Sequence, residues 1–243
     1  MTDAAPATKI APPEAHAVSP RFARYTDELV YGELWERTGL SPRDKSMLTC
    51  AMLIALNRAQ FLQFHARRAF DNGLTPRELS EVVTQLAVYC GWPMASAAVN
   101  ELAPVYAERG IGPEDVAPLD IPSLRPDPEM EARRKAVLQA SIGVVSQPLA
   151  QYSNELLFAD LWLHPELAPR DRSLVTLAAI WAMGLEPLLD YQFSRALDNG
   201  VTRDEISEAL AFCAFYIGWP RAMAAAMVAK KVLEARQETP AQD

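Results

Sequence analysis

The chain repeats itself. Residues 20–100 align with residues 147–227 at a constant offset of 127 and without a gap, and about 32 of the 81 aligned positions are identical. Leu34-Trp35 returns as Leu161-Trp162, Pro42-Arg43-Asp44 as Pro169-Arg170-Asp171, Asp71-Asn72-Gly73 as Asp198-Asn199-Gly200, and Gly91-Trp92-Pro93 as Gly218-Trp219-Pro220. A match this long marks a duplication, and the period is far longer than that of a solenoid. Each copy must therefore form the same small domain. Two such copies are expected to pack about a pseudo-twofold axis, as the subunits of a homodimer do.

The repeat reads as helical throughout. Ser41-Pro42-Arg43-Asp44 is a helix start, with Ser as cap, Pro at the first helical position and Asp in the first turn. The residues that follow, through Ala55, are apolar nearly all round, which marks a central buried helix. Thr75-Pro76-Arg77-Glu78 carries the signature of a capping box. Asn72-Gly73 reads as a left-handed helix end. Apolar positions in 21–37 fall on one helical side, and an Ala-rich helix is expected from Met94 to Glu108. The expected organisation is a disordered tail over 1–19, a first domain over 20–110, a proline-rich linker over 111–128 and a second, degenerate domain over 129–237.

Composition excludes several classes of function. The chain has 243 residues, half of them apolar, and a net charge of −8 without a long basic run. Nucleic acid and anionic membrane are poor partners for such a chain. Cys50, Cys90 and Cys213 are odd in number, widely spaced and set in apolar runs, so neither disulfides nor a zinc site are expected. No metal or cofactor motif is present. The first twenty residues lack the pattern of a signal peptide, and no apolar run is long enough for a membrane span, so a cytoplasmic protein is expected.

The working site is expected in the stretch from Asn57 to Phe70. Read as one helix, Arg58 and His65 are seven residues apart and differ in direction by only about 20°. A cation and an imidazole would then project from an otherwise apolar face, and buried polar groups need partners or a purpose. The second copy has Leu185 and Gln192 at these registers. The paired loss points to one live site per chain, in copy one. Tyr89 and Trp92 are candidates to line the pocket, with core packing as the alternative because both recur as Tyr216 and Trp219. Arg43 and Arg170 read as helix-start salt bridges and Arg67-Arg68 as surface or oligomer contacts. His164 reads as structural, and Glu186 and Asp190 as a solvated face that could complete the site across the two copies.

The stretch LTCAMLIALNRAQFLQFHARRAFDNGLTPRELSEVVTQLAVYCGWPMASAA resembles the carboxymuconolactone decarboxylase family. The likeness rests on Asn57-Arg58, the His65 helix, the Asn72-Gly73-x-Thr75 turn, Glu78 and Tyr89-Cys90-Gly91-x-Pro93, and it extends over both copies. It implies an all-α fold of two tandem AhpD-like helical domains packed as a pseudo-dimer. It also implies homo-oligomers, here a trimer resembling a hexamer, and cofactor-free decarboxylation of a carboxymuconolactone-like lactone acid in aromatic catabolism. His65 and Arg58 would then be catalytic, with Asn57, Tyr89 and Trp92 binding substrate. The peroxide-reducing branch resembling the alkylhydroperoxidase AhpD uses a Cys-x-x-Cys pair ahead of the histidine. Here Arg58 and Phe61 stand at those positions, so the thiolates that chemistry requires are missing. The chain also departs from the decarboxylase branch, because Ala59, Gln60 and Phe61 stand where that branch often carries acidic residues.

The alternatives at this point are another lactone or isomerase chemistry on the same Arg–His pair, and a non-catalytic helical scaffold. Arginine can grip a carboxylate or oxyanion through two parallel hydrogen bonds. Histidine can protonate a carbanion near neutral pH. A small carboxylate or lactone substrate fits both.

Overall fold

The computed structural model describes residues 9–238. They form helices and connecting turns, with no strand among them. Copy one opens with α1 (Pro13–Val18) and α2 (Pro20–Arg24), which runs on as a wide π-helical segment, Tyr25–Leu34. Its domain is then built from α3 (Pro42–Ala55), α4 (Leu62–Asp71), α5 (Pro76–Cys90) and α6 (Trp92–Arg109). A short α7 (Pro113–Val116) lies in the connection, and α8 (Pro128–Leu138) and α9 (Gln147–Tyr152) lead into copy two. There α10 (Pro169–Met183), α11 (Leu189–Asp198), α12 (Arg203–Ile217) and α13 (Trp219–Glu238) repeat the pattern. The bounds of α4 and α11, and of α5 and α12, differ by the 127 residues of the sequence repeat.

The end signals act as their chemistry dictates. Ser41 Oγ accepts from the Asp44 N–H at 3.0 Å. Thr75 Oγ1 accepts from the Glu78 N–H while Glu78 Oε2 accepts from the Thr75 N–H, and Thr202 and Glu205 repeat this box. Gly73 and Gly200 both take φ of +91°, where a Cβ would be strained. The adjacent Asn72 donates to Ser46 Oγ at 2.9 Å, as Asn199 does to Ser173. Each asparagine thus ties a helix end to the buried central helix.

The two central helices, α3 and α10, pack against each other and are buried along nearly their whole length. Around them the copies cross. Helix α5 of copy one packs on α10, and α12 of copy two packs on α3. The crossing is clamped by ions. Arg43 reaches Asp171 at 2.7 Å and Glu78 at 2.5 Å, while Arg170 reaches Asp44 at 2.9 Å and Glu205 at 2.5 Å. The salt bridges expected at each helix start therefore extend across the pseudo-twofold axis. Each guanidinium has donors enough for carboxylates on both sides, which an ammonium point charge would not hold in this planar arrangement.

Two expectations change. The part of the expected disordered tail that lies within the described residues is ordered: Asp27 Oδ1 accepts from the Ile10 and Ala11 N–H groups at 2.7 Å each, and Ala11 is buried. His16 lies 3.4 Å from the same carboxylate. Residues 1–8 of that tail lie outside the described residues. The expected linker is also tied down, with Leu124 N–H donating to Leu163 O at 2.8 Å and Leu119 N–H to Glu166 at 2.8 Å.

Removing one partner from a half-buried ion network leaves carboxylates desolvated and unpaired. Arg43→Ala is expected to cost about 1–3 kcal/mol, discounted from a fully buried pair because the guanidinium keeps some solvent contact. Equilibrium denaturation by urea measures this as a lower midpoint, and Arg43→Lys is expected to restore only part of it.

Candidate functional site

The stretch read as one helix from Asn57 to Phe70 is interrupted. Asn57 takes φ of +54°, the one positive value outside glycine among the described residues. Asparagine tolerates this left-handed region better than most residues. The chain turns there out of α3, makes a single 3₁₀ turn over Ala59–Phe61, and only then enters α4. The helical count from Arg58 to His65 therefore does not apply. Arg58 is exposed and turns its guanidinium back toward the Asn57 carbonyl, 3.4 Å away. Asn57 is exposed beside it.

His65 lies within α4 and is buried. The cation that shares its face is Arg68, three residues on, one of the pair expected to be a surface or oligomer contact. Its guanidinium carbon sits 4.2 Å from the Trp35 ring centroid and 5.1 Å from that of Tyr31. Tyr31 and Trp35 stack nearly parallel, 10° apart. Arg68 Nε is buried without a hydrogen-bond partner, and no carboxylate pairs with the side chain among the described residues. Tyr31 and Trp35 are four residues apart at the end of the π-helical segment and so share the side that faces the cation.

The fourth wall comes from the other copy. Tyr216, on α12, places its ring 5.9 Å from His65 and accepts a hydrogen bond from Trp35 Nε1 at 3.0 Å. Phe212, one turn earlier on α12, packs edge-on to Trp35 at 5.3 Å. His65 and Arg68 thus face an aromatic enclosure made by both halves of the chain. Burial, with a smaller contribution from Arg68, pushes the His65 pKa down to about 4. At neutral pH the imidazole is uncharged, and its Nδ1 is buried with no hydrogen-bond partner among the described residues. Burial also raises the Tyr216 pKa, so the phenol keeps its proton.

The pseudo-twofold axis makes a second enclosure from the equivalent residues. Tyr89, expected to line the His65 pocket, serves this other one: its hydroxyl accepts from Trp162 Nε1 at 2.9 Å and its ring lies edge-on to the Trp162 ring. Trp92 stands exposed at the start of α6. Of the residues singled out from sequence for the copy-one site, His65 lies in the first aromatic enclosure, while Asn57, Arg58 and Trp92 are exposed. Arg68, Tyr31, Trp35 and Tyr216 form the rest of that enclosure. Arg68 could have been found by counting three residues from His65 instead of seven. Tyr216 carries no local signal, because it lies 151 residues from His65.

Other polar clusters are structural. His164 Nδ1 lies 3.3 Å from Glu166 and 3.8 Å from Glu81, a spacing that could hold a metal ion. Both carboxylates are already taken, Glu81 by Arg172 at 2.5 Å and Glu166 by Arg77 at 3.0 Å, so the group is an ion-pair clamp. Asp190 is exposed and Glu186 partly exposed, and Asp190 lines a shallow groove with Lys231 and Arg236.

Comparison with known proteins fits this architecture. The family model described as "Carboxymuconolactone decarboxylase family" matches residues 20–103 and again 147–231. Over 95 residues the chain is 37% identical to 4-carboxymuconolactone decarboxylase of Acinetobacter baylyi, which covers 39% of this chain and 71% of that protein. Over 82 residues it is 37% identical to nitrosuccinic acid decarboxylase of Metarhizium robertsii, covering 32% of this chain and 57% of that one. A solved gamma-carboxymuconolactone decarboxylase-type subunit from Burkholderia xenovorans LB400 superposes with a TM-score of 0.53 over 94% of this chain and 92% of that one. At 22% identity it speaks to the fold alone. With two matches that together span most of its length, this chain belongs to the carboxymuconolactone decarboxylase family and carries the family's domain twice.

Proposed function

We propose that copy one is a cofactor-free carboxy-lyase acting on a small carboxylic acid whose neighbouring carbonyl can accept an electron pair, a carboxymuconolactone-like lactone acid being the first choice. The observation that carries this reading is the pairing of buried, neutral His65 with Arg68, a cation that has no carboxylate partner among the described residues. A guanidinium among aromatic rings is costly to leave without a counter-ion, and an anionic substrate supplies one. The two decarboxylases named above support the reaction class, and one of them is named for an acid that is not a lactone. The absence of acidic residues at Ala59, Gln60 and Phe61 leaves room for such a difference in substrate.

The chemistry follows from where charge moves. The C–C bond to the carboxylate breaks, CO2 departs, and the bonding pair passes into the conjugated carbonyl as an enolate. Arg68 contributes most on the oxygen that gains this charge, because only interactions stronger in the transition state speed the step. A bound anion also raises the His65 pKa from its depressed resting value, so the imidazole takes up a proton when substrate is present. His65 then delivers that proton to carbon as the enolate collapses to product. Tyr216 fixes the opposite wall and can donate its phenolic proton in a hydrogen bond to the substrate. We also propose that the chain works as a homo-oligomer, the exposed Phe61, Phe64, Trp92 and Trp219 supplying apolar contact surface.

His65→Ala is expected to keep the fold and lower kcat by roughly 10²–10⁴-fold, the usual worth of a general acid. Arg68→Gln is expected to lower kcat/KM by roughly 10²–10³-fold. Tyr216→Phe, a change in copy two, is expected to lower turnover in copy one. CO2 release from 4-carboxymuconolactone and from nitrosuccinate tests all three, and unchanged rates in His65→Ala would remove the histidine from the mechanism.

The depressed His65 pKa has a consequence for stability. Between about 6.5 and about 4 the unfolded chain binds a proton that the folded chain refuses. The stability associated with neutral His65 is complete above 6.5 and is lost as the pH falls toward 4, with an upper bound of roughly 3 kcal/mol. His65→Gln is expected to flatten this part of the stability–pH curve, as read from urea midpoints at closely spaced pH values.

A further inference from the structure

Copy two has lost the imidazole and kept the cation. Arg195 occupies the register of Arg68, with its guanidinium carbon 3.4 Å from the Trp162 ring centroid and 5.4 Å from that of Phe158. Its Nη1 donates to the Tyr191 hydroxyl at 3.3 Å, and no carboxylate pairs with it among the described residues. Tyr89 and buried Gln192 close the enclosure. Burial here is deep enough to work against the charge of Arg195, and nearby Arg134 adds to the effect.

Arg134, on α8, brings a second guanidinium to this enclosure. Its guanidinium carbon lies 3.9 Å from the Phe158 ring centroid, held by Glu131 at 2.7 Å and by Asn154 at 2.9 Å, while its Nη1 is buried with no partner. A scaffold relieved of its chemistry has no reason to hold an unpaired cation among aromatic rings and to add a second arginine beside it.

We propose that copy two is a second ligand site, which binds a small planar carboxylate on Arg195 and leaves it chemically unchanged. The fork of the guanidinium suits a carboxylate, the flanking Trp162 and Phe158 rings suit a flat unsaturated body, and the Gln192 amide and Tyr89 hydroxyl can complete the hydrogen bonds. Gln192 neither gains nor gives up a proton in the accessible pH range, so this site lacks the acid that turnover needs. The proposal stands on Arg195 and its neighbours and does not depend on the reaction at His65.

The test is a calorimetric titration of benzoate into the full-length chain carrying Arg68→Gln, which removes the copy-one cation, with folding checked by circular dichroism and thermal melting. One equivalent per chain is expected to bind. Adding Arg195→Gln is expected to weaken that binding at least tenfold. Should Arg195→Gln fail to fold, Gln192→Glu decides: it sets an isosteric carboxylate beside Arg195 and is expected to abolish benzoate binding by occupying the cation. Absence of saturable binding in the folded Arg68→Gln chain overturns the proposal, as does binding that neither Arg195→Gln nor Gln192→Glu weakens.

Discussion

The packing of α3 on α10 governs everything else in this molecule. Both helices are apolar on nearly all sides, so neither can face water and each must be covered by elements of both copies. The coverage is exchanged: α5 crosses to α10 and α12 crosses to α3. The Arg43–Asp171 and Arg170–Asp44 pairs then fix the register of the crossing from both sides. One consequence is that neither site belongs to a single copy. His65 and Arg68 depend on Tyr216 of the second half, as Gln192 and Arg195 depend on Tyr89 of the first.

This exchange explains why duplication and divergence could proceed together. In a symmetric dimer any change at the histidine register alters both sites at once. In the fused chain, position 65 and position 192 are independent, so one enclosure can keep its imidazole while the other exchanges it for an amide. The shared walls cannot diverge so freely, since Trp35 pairs with Tyr216 and Trp162 with Tyr89 through the same indole-to-phenol hydrogen bond. The retained arginines, Arg68 and Arg195, fit that constraint.

Much of the fold was legible in the residues. Ser41, Thr75 and Thr202 cap helices because their hydroxyls accept orphaned N–H groups, and Gly73 and Gly200 end them because they take a positive φ. The 127-residue repeat carried the architecture. The site was only partly legible. Asn57 broke the helix that a count from Arg58 assumed, and an asparagine adopts αL only when its context calls for it. Arg68 reads from sequence as a surface or oligomer contact because it is the same in both copies, as Arg195, and carries no local sign of the aromatic rings that flank it. Tyr216 was out of reach of any local pattern, since the helix crossing alone brings it to His65.

In the proposed mechanism His65 rests as a buried neutral imidazole beside Arg68 and takes up a proton when an anion arrives. NMR titration of the His65 ring, with His65→Gln identifying its resonances, measures this directly. An imidazole pKa of about 4 is expected in the free chain, with a rise toward neutrality at saturating benzoate that is absent in Arg68→Gln. A free-chain pKa near the ordinary 6.5 that does not respond to the anion would contradict it.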